Sequence, residues 1–407
     1  MPANVSTPSP STPGNDSPNG ASASATNAAR LLVALHRRGG TATRAELTAQ
    51  LDCGRSAISY ALSDLVDRGL VVIDEHPALG PTTAAGRGRP SHQVSVAPTS
   101  PIAAAVHLRV DTLDVSAVEL GGKILRTERE PIEPSPDIDA TVRRIARLVR
   151  LIADEAGRPC AGVGMAMPSP VRLADGYALA PRHLNWGGVP IRELISAQID
   201  GQWPVHIGND ANLAALAEHR HGAGKDARNV LFVTTEHIGI GGGLVTDGGL
   251  FTGASGYAME VGHTMANQGG EPCSCGARGC LEAEADTRAL LRAAGRPDTP
   301  ATGLEYRARV VLADAAAGDP QASDAARRIS SRLGSGLAVL VNLLDPDRIV
   351  LGGLLARLMT LTPEPLAQAL REGSFLERAV PVPVVPAALS APALLGAAEL
   401  VLAPLFA

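Results

Sequence analysis

Between Gly262 and Glu282 the chain reads GHTMANQGGEPCSCGARGCLE, and this stretch gathers His263, Cys273, Cys275 and Cys280. Only two other cysteines, Cys53 and Cys160, occur in the chain. A sequence so poor in cysteine must bring three thiols and an imidazole into one loop, which restricts the local backbone to paths that double back. The alternative is a set of unliganded buried cysteines. Five cysteines, three of them clustered, do not make a disulfide framework, so a reduced cytoplasmic setting is expected.

At 407 residues the chain has room for two or three domains. The formal net charge is -5, so any binding to nucleic acid has to rest on a local patch. Residues 1–25 are rich in Ser, Pro, Asn, Ala and Gly and hold no basic residue. They lack the basic start and apolar run of a secretory signal and are expected to form a disordered tail. No charge-free apolar stretch reaches the roughly eighteen residues of a membrane span.

Residues 26–98 carry three short helical patterns. In the first, Ala28, Leu31, Leu32 and Leu35 recur at helical spacing before Gly39-Gly40. Thr43 and Glu46 then have the spacing of a capping box, with Leu47 and Leu51 on one face. After the turn at Asp52-Cys53-Gly54, Ile58, Leu62 and Leu65 form the stripe of a third helix. Two short strand patterns follow, LVVID and HQVSV, joined by GPTTAAGRGRPSH. Three helices, a tight turn and a basic loop between two strands describe a winged helix-turn-helix. Arg55, Ser56, Ser59 and Tyr60 would face base edges or phosphates of double-stranded DNA, and Arg87 and Arg89 a minor groove. The competing reading is a three-helix protein-binding module. Eight arginines against six acids over residues 27–97 give too small a surplus to decide it. The order of capping box, turn, helix and basic wing favours DNA.

From residue 101 to 407 strand clusters alternate with helices, the pattern of an α/β fold. The segments NDANLAALAE, EVGH, CSCGARGCLE, DPDRIVLGG and LLGAA, in that order, resemble the ROK family of repressors, open reading frames and sugar kinases. The resemblance runs from about Ala28 to the end, since repressor members carry a winged helix followed by GRGRP. It implies an actin-like, ribonuclease H-like fold of two α/β lobes around a sugar cleft, as a homodimer or homotetramer.

With that resemblance the loop becomes interpretable. Thiolates and an imidazole suit tetrahedral zinc, and four protein ligands leave no open position for a catalytic water. One structural zinc per chain is therefore expected on His263, Cys273, Cys275 and Cys280, within residues 263–280. Glu260 and Glu282 flank the ligands and would be pinned by the metal. In the family the matching Glu, His and Glu bind sugar hydroxyls together with an Asn-Asp pair. Carried over, these are Glu260, His263, Glu282, Asn209 and Asp210, groups suited to a polyhydroxylated ligand. Taken alone, Asp210 also suits the N-cap of the following helix.

In kinase members Asp210 would be the general base. Those members also carry an acidic-x-Gly-Gly-Thr turn and a Gly-Thr-Gly-Ile-Gly run that cradle nucleotide phosphates. Here the first is HLRVD, with His107, Arg109 and Val110 in place of the acid and the glycines; the second is HIGIG, with His237 and Ile238 in place of Gly and Thr. Met259 stands where Gly usually precedes the Glu, and Ser169 where Gly is common in the Pro-x-Pro loop. The expectation is a sugar-responsive regulator, a repressor sensing a sugar or sugar phosphate, with Asp210 as a vestigial base. The alternatives are an active ATP-dependent sugar kinase with an attached DNA-binding domain, and a regulator controlled by a protein partner.

Overall fold

The expected stripes at the start of the chain are buried: Leu31, Leu32, Leu35, Leu47, Ile58, Leu62 and Leu65 are all at or below 1% exposure. In the computed structural model, which describes residues 19–51, 54–74, 91–236, 238–300 and 303–406, they close a small core. It is built from α1 (Asn19–Arg37), β1 (Thr41–Thr43), α2 (Arg44–Leu51), α3 (Arg55–Asp67), β2 (Val71–Asp74) and β3 (Gln93–Val96). The capping box forms as the spacing demands. The Thr43 backbone N–H donates to Glu46 Oε2 at 2.7 Å, and the Glu46 N–H donates to Thr43 Oγ1 at 3.2 Å. Two features depart from expectation. Helix α1 starts at Asn19, inside the stretch expected to be a tail, because ASASATNAA is rich in the strongest helix former. Strand β1 adds a third member to the expected pair, in the order β1-β3-β2. Residues 1–18, Cys53, Arg87, Arg89 and His237 lie outside the described residues.

The first lobe contains β4 (Ile102–Leu108), β5 (Thr112–Glu119), β6 (Ile124–Pro131), α4 (Ile138–Ala156) and β7 (Cys160–Met167). It continues with the small hairpin β8 (Val171–Arg172) and β9 (Tyr177–Ala178), then α5 (Ile191–Gln198) and β10 (Val205–Asn209). Its sheet runs β10-β7-β4-β5-β6. The central strand β4 is buried along its whole length because both faces are covered. Ile102, Ala104 and Val106 face the α4 side, and Ala103 and Ala105 face the opposite core.

Helix α6 (Asp210–His221) leads to the second lobe. That lobe holds β11 (Asn229–Thr235), β12 (Gly241–Thr246), β13 (Gly249–Leu250), α7 (Leu281–Ala285), α8 (Thr287–Ala293), α9 (Leu304–Ala316) and α10 (Pro320–Leu344). It ends with β14 (Arg348–Gly352), α11 (Gly353–Leu361), α12 (Pro363–Gly373), α13 (Phe375–Ala379) and β15 (Val384–Pro386). The second sheet runs β13-β12-β11-β14-β15. The last helix, α14 (Pro392–Leu402), returns between the sheets and packs on α6, β4 and β7, while α6 packs on β11 and β12. Helices α6 and α14 touch at Gly396, where an added Cβ would lie 1.9 Å from the Leu213 carbonyl oxygen. Among the described residues no helix is long and apolar enough to cross a membrane.

The winged helix is seated against this core. Gly121, at φ 94°, brings the first-lobe hairpin so close to the Gly39-Gly40 turn that a Cβ there would meet the Gly40 nitrogen at 2.6 Å. Beside it, Glu399 of α14 is 2% exposed and fully engaged. Its Oε1 receives His36 Nε2 at 2.7 Å and His221 Nε2 at 2.6 Å, and Arg220 donates to its Oε2. The Gly121 N–H donates to His36 Nδ1 at 2.7 Å. That bond occupies the Nδ1 lone pair, so a neutral His36 carries its proton on Nε2 and donates it to Glu399. The arrangement leaves His36 no lone pair for a metal, although His36, His221 and Glu399 bring three potential ligand atoms together. It is a buried polar junction between α1, α6 and α14.

Candidate functional site

A cavity of about 350 Å³ opens between the two lobes, and Asn209, Asp210, Glu260, His263 and Glu282 all line it. Asn209 ends β10 and caps α6. Its Oδ1 accepts the Asn212 N–H at 3.0 Å, and its Nδ2 donates to the Ser169 carbonyl at 3.1 Å. The cap is therefore Asn209 and not Asp210, which occupies the first helical position with Oδ1 accepting the Ala211 N–H at 2.8 Å. Burial, then the nearby Glu236 and Glu260 carboxylates, push the Asp210 carboxyl up to about 7. Met259 holds a left-handed backbone, φ 76°, just before Glu260. That conformation explains why glycine is common at the position in kinase members: a Cβ is strained there.

Glu282 connects the cleft to the cysteine loop. Its Oε1 accepts from Cys273 Sγ at 3.1 Å and from Ser274 Oγ at 3.0 Å, and lies 3.7 Å from His263 Nδ1. The four expected metal ligands have their donor atoms within 4.8 Å of one another. His263 Nδ1 is 3.6 Å from Cys273 Sγ, and Cys275 Sγ is 3.7 Å from Cys280 Sγ. Ligands about 2.3 Å from a tetrahedral zinc would be separated by about 3.8 Å. The donor set and its spacing thus fit that ion. With Nδ1 turned to the cysteines, the other ring nitrogen of His263 remains for the cleft.

The opposite end of the cavity carries side chains at the positions where kinase members have their phosphate-loop glycines and Thr. Arg109, Val110 and Ile238 line it where glycines and Thr were the alternative. Arg109 is anchored by Nε to Thr112 Oγ1 at 2.9 Å and by Nη2 to Asp114 Oδ2 at 2.5 Å. His107 does not face the cleft. It is 3% exposed on β4 opposite Asp114, and burial, then Arg109, lower its pKa to about 3. Gly239 is held from behind, its N–H donating to Asp286 Oδ2 at 3.1 Å.

On α3, Arg55, Ser56, Ser59 and Tyr60 are exposed, Tyr60 at 72%. Arg44, from the start of α2, donates to Ser59 Oγ and joins the same surface. Three features of the molecule were not singled out in the sequence: Arg44 beside Ser59, Glu236 in the cleft wall, and the junction at Glu399. An acid next to the altered HIGIG run is the one sign that could have pointed to Glu236.

Residues 103–403 match the ROK family and residues 25–78 the MarR family. The chain belongs to the ROK family and carries a MarR-type winged helix in front of its sugar-kinase-like domain. It is similar to a glucokinase of Halalkalibacterium halodurans, 34% identical over 203 residues, spanning 47% of this chain and 61% of that one. It is similar over more of its length to a xylose repressor of Caldicellulosiruptor bescii, 27% identical over 349 residues, 82% of this chain and 84% of that one. The crystal structure of a ROK family transcriptional regulator, a homolog of the E. coli MLC protein, shares the fold with a TM-score of 0.74. It is 24% identical and covers 94% of this chain and 96% of that one.

Proposed function

We propose that the chain is a sugar-responsive transcriptional repressor whose winged helix holds an operator duplex and whose interlobe cleft senses a sugar or sugar phosphate. One observation carries the reading. Helix α6 starts in the cleft at Asn209 and Asp210 and ends at Arg220 and His221, which grip the same Glu399 that holds His36 of α1. A ligand that moves the start of this helix acts through a rod of about 18 Å on the DNA-binding domain. In a homodimer or homotetramer a small tilt would change the separation of paired winged helices, which must match half-sites about 34–36 Å apart or a multiple of that. The shift requires only that the sugar bind the two arrangements with different affinity.

In this reading Asn209, Asp210, Glu260, His263 and Glu282 bind the sugar. Arg55, Ser56, Ser59 and Tyr60, with Arg87 and Arg89, contact DNA. His263, Cys273, Cys275 and Cys280 hold a structural zinc in a cytoplasmic protein, and the metal keeps Glu260 and Glu282 in place.

The kinase reading draws on one feature, a partly buried Asp210 in the cleft whose carboxyl is pushed up to about 7, as suits a general base. Against it, Arg109, Val110 and Ile238 line the cavity in place of the phosphate-loop glycines and Thr, and positioning of phosphates supplies nearly all the catalysis in this chemistry. The deciding experiment incubates the full chain with candidate sugars, ATP and magnesium, and titrates an operator duplex with and without sugar. The expected outcome is a sugar-dependent change in DNA affinity and no phosphorylated product. Turnover that Asp210→Asn abolishes would make the chain a kinase.

A further inference from the structure

At the phosphate end of the cleft β11 stops at Thr235, and Glu236 enters the cavity wall beside Thr234 and Thr235. Among the described residues nothing hydrogen-bonds its carboxylate, although the side chain is partly buried. Arg109 is within electrostatic reach, yet that guanidinium is already committed to Asp114 and Thr112. Asp210, Glu260 and Glu282 line the same cavity, so Glu236 adds a fourth carboxylate to a site whose described cationic side chains are Arg109 and the titratable His183 and His263. None of this is needed for binding the sugar ring at Asn209 and Asp210.

A carboxylate that faces the cavity with no hydrogen-bond donor from the described residues is open to a donor brought by the ligand. A sugar hydroxyl brings one. A phosphoryl group does so poorly, because at neutral pH it carries a charge of about −1.5 to −2 and is mostly without a proton. Charge repulsion in a site partly shielded from water is also several times stronger than in bulk solvent. Resting on the reading of the cleft as a sugar site, we propose that Glu236 is its specificity residue. It occupies the space a phosphoryl group would need and accepts a hydrogen bond from a hydroxyl of the ligand, so the effector is an unphosphorylated, uncharged sugar. A site built around a buried polar group discriminates strongly against a ligand that leaves that group unpaired.

The test is calorimetric titration of the full-length, metal-loaded protein with D-glucose, D-xylose and N-acetyl-D-glucosamine, and with the 6-phosphates of glucose and of N-acetylglucosamine. We expect at least one unphosphorylated sugar to bind ten times more tightly than either phosphate. Glu236→Gln, which removes the charge and keeps an acceptor, should narrow that ratio to threefold or less. A phosphate bound as tightly as the free sugar by the wild type overturns the proposal, and needs no variant that might fail to fold. An unchanged ratio in a folded Glu236→Gln protein does the same. If no sugar of either kind binds, the sugar reading of the cleft itself falls, and the role of Glu236 with it.

Discussion

His107 and Asp210 titrate abnormally in opposite senses, and their effects on stability oppose each other. His107 stays neutral in the fold down to about 3, whereas an unfolded chain takes up that proton near 6.5. Between those values the unfolded state binds more protons, so this residue makes stability rise with pH. Asp210 keeps its proton in the fold up to about 7, whereas the unfolded chain loses it near 3.8. Over that window the folded state binds more protons, so stability falls as pH rises. From pH 5 to 7 each contribution amounts to about 2 kcal/mol. The two therefore act in opposite directions over this range. Thermal or urea unfolding at pH 5 and pH 7 should show His107→Leu losing stability with rising pH relative to wild type, and Asp210→Asn gaining it. Parallel profiles for all three proteins would mean that the two groups do not titrate as described. The sequence does mark His107 as a departure from the kinase pattern. It cannot show that the side chain lies in the sheet behind the cleft, because that depends on which face of β4 the residue occupies and on the register of β4 with β5.

At the scale of elements, local periodicity carried most of the message. The stripes of α1 to α3, the Thr43–Glu46 box and the spacing of the cysteine loop are short-range patterns, and each can be read within a dozen or so residues. The helix cap shows the limit. Asn209 and Asp210 are both good caps, and only the position of Ser169, forty residues earlier in the chain, ties Asn209 into that role. The packing of α6 on α14 was illegible for the same reason, since Gly396 and Leu213 are far apart in sequence. Gly396→Ala should push the helices apart and cost about 1–3 kcal/mol in denaturant unfolding, as overpacking does in a tight core. A loss below about 0.5 kcal/mol would show that the helices have slack there. The cysteine loop makes a second prediction at this scale. Metal analysis should find about one zinc per chain, and Cys275→Ser or chelation should lower both thermal stability and sugar affinity, since Ser274, between two of the ligands, donates to Glu282. Sugar affinity that survives complete loss of zinc would uncouple the loop from the cleft.

For the whole molecule, the link that matters is between residues 363 positions apart, His36 and Glu399. No local pattern could have shown it, and it makes the winged helix part of the larger core. His36→Ala removes one donor to a buried carboxylate that keeps Arg220 and His221. We expect this variant to bind sugar and zinc as the wild type does, and to bind operator DNA, but with the sugar-dependent change in DNA affinity reduced at least fivefold. Fluorescence anisotropy on an operator duplex, with and without sugar, measures this directly. A normal response in His36→Ala would place the transmission elsewhere, for instance through the Gly40–Gly121 contact.

That glycine contact bears on how such a protein can be rebuilt. The Gly39-Gly40 turn and the Gly121 hairpin meet backbone to backbone, next to a histidine whose ring nitrogen takes the Gly121 N–H. A winged helix borrowed from another repressor would bring its own turn and its own residue at position 36. A side chain at Gly40 would press on Val96 and the Leu120 carbonyl, and an apolar residue in place of His36 would leave the Gly121 N–H and Glu399 each short of a partner. Chimeras joined within the linker after β3 should therefore fold as two independent halves that recognise their DNA and their sugar without exchanging any signal. Those that also carry over His36 and the glycine pair should behave as switches. In this protein the seam between reader and sensor is a fitted surface, and new specificities have to be introduced on either side of it.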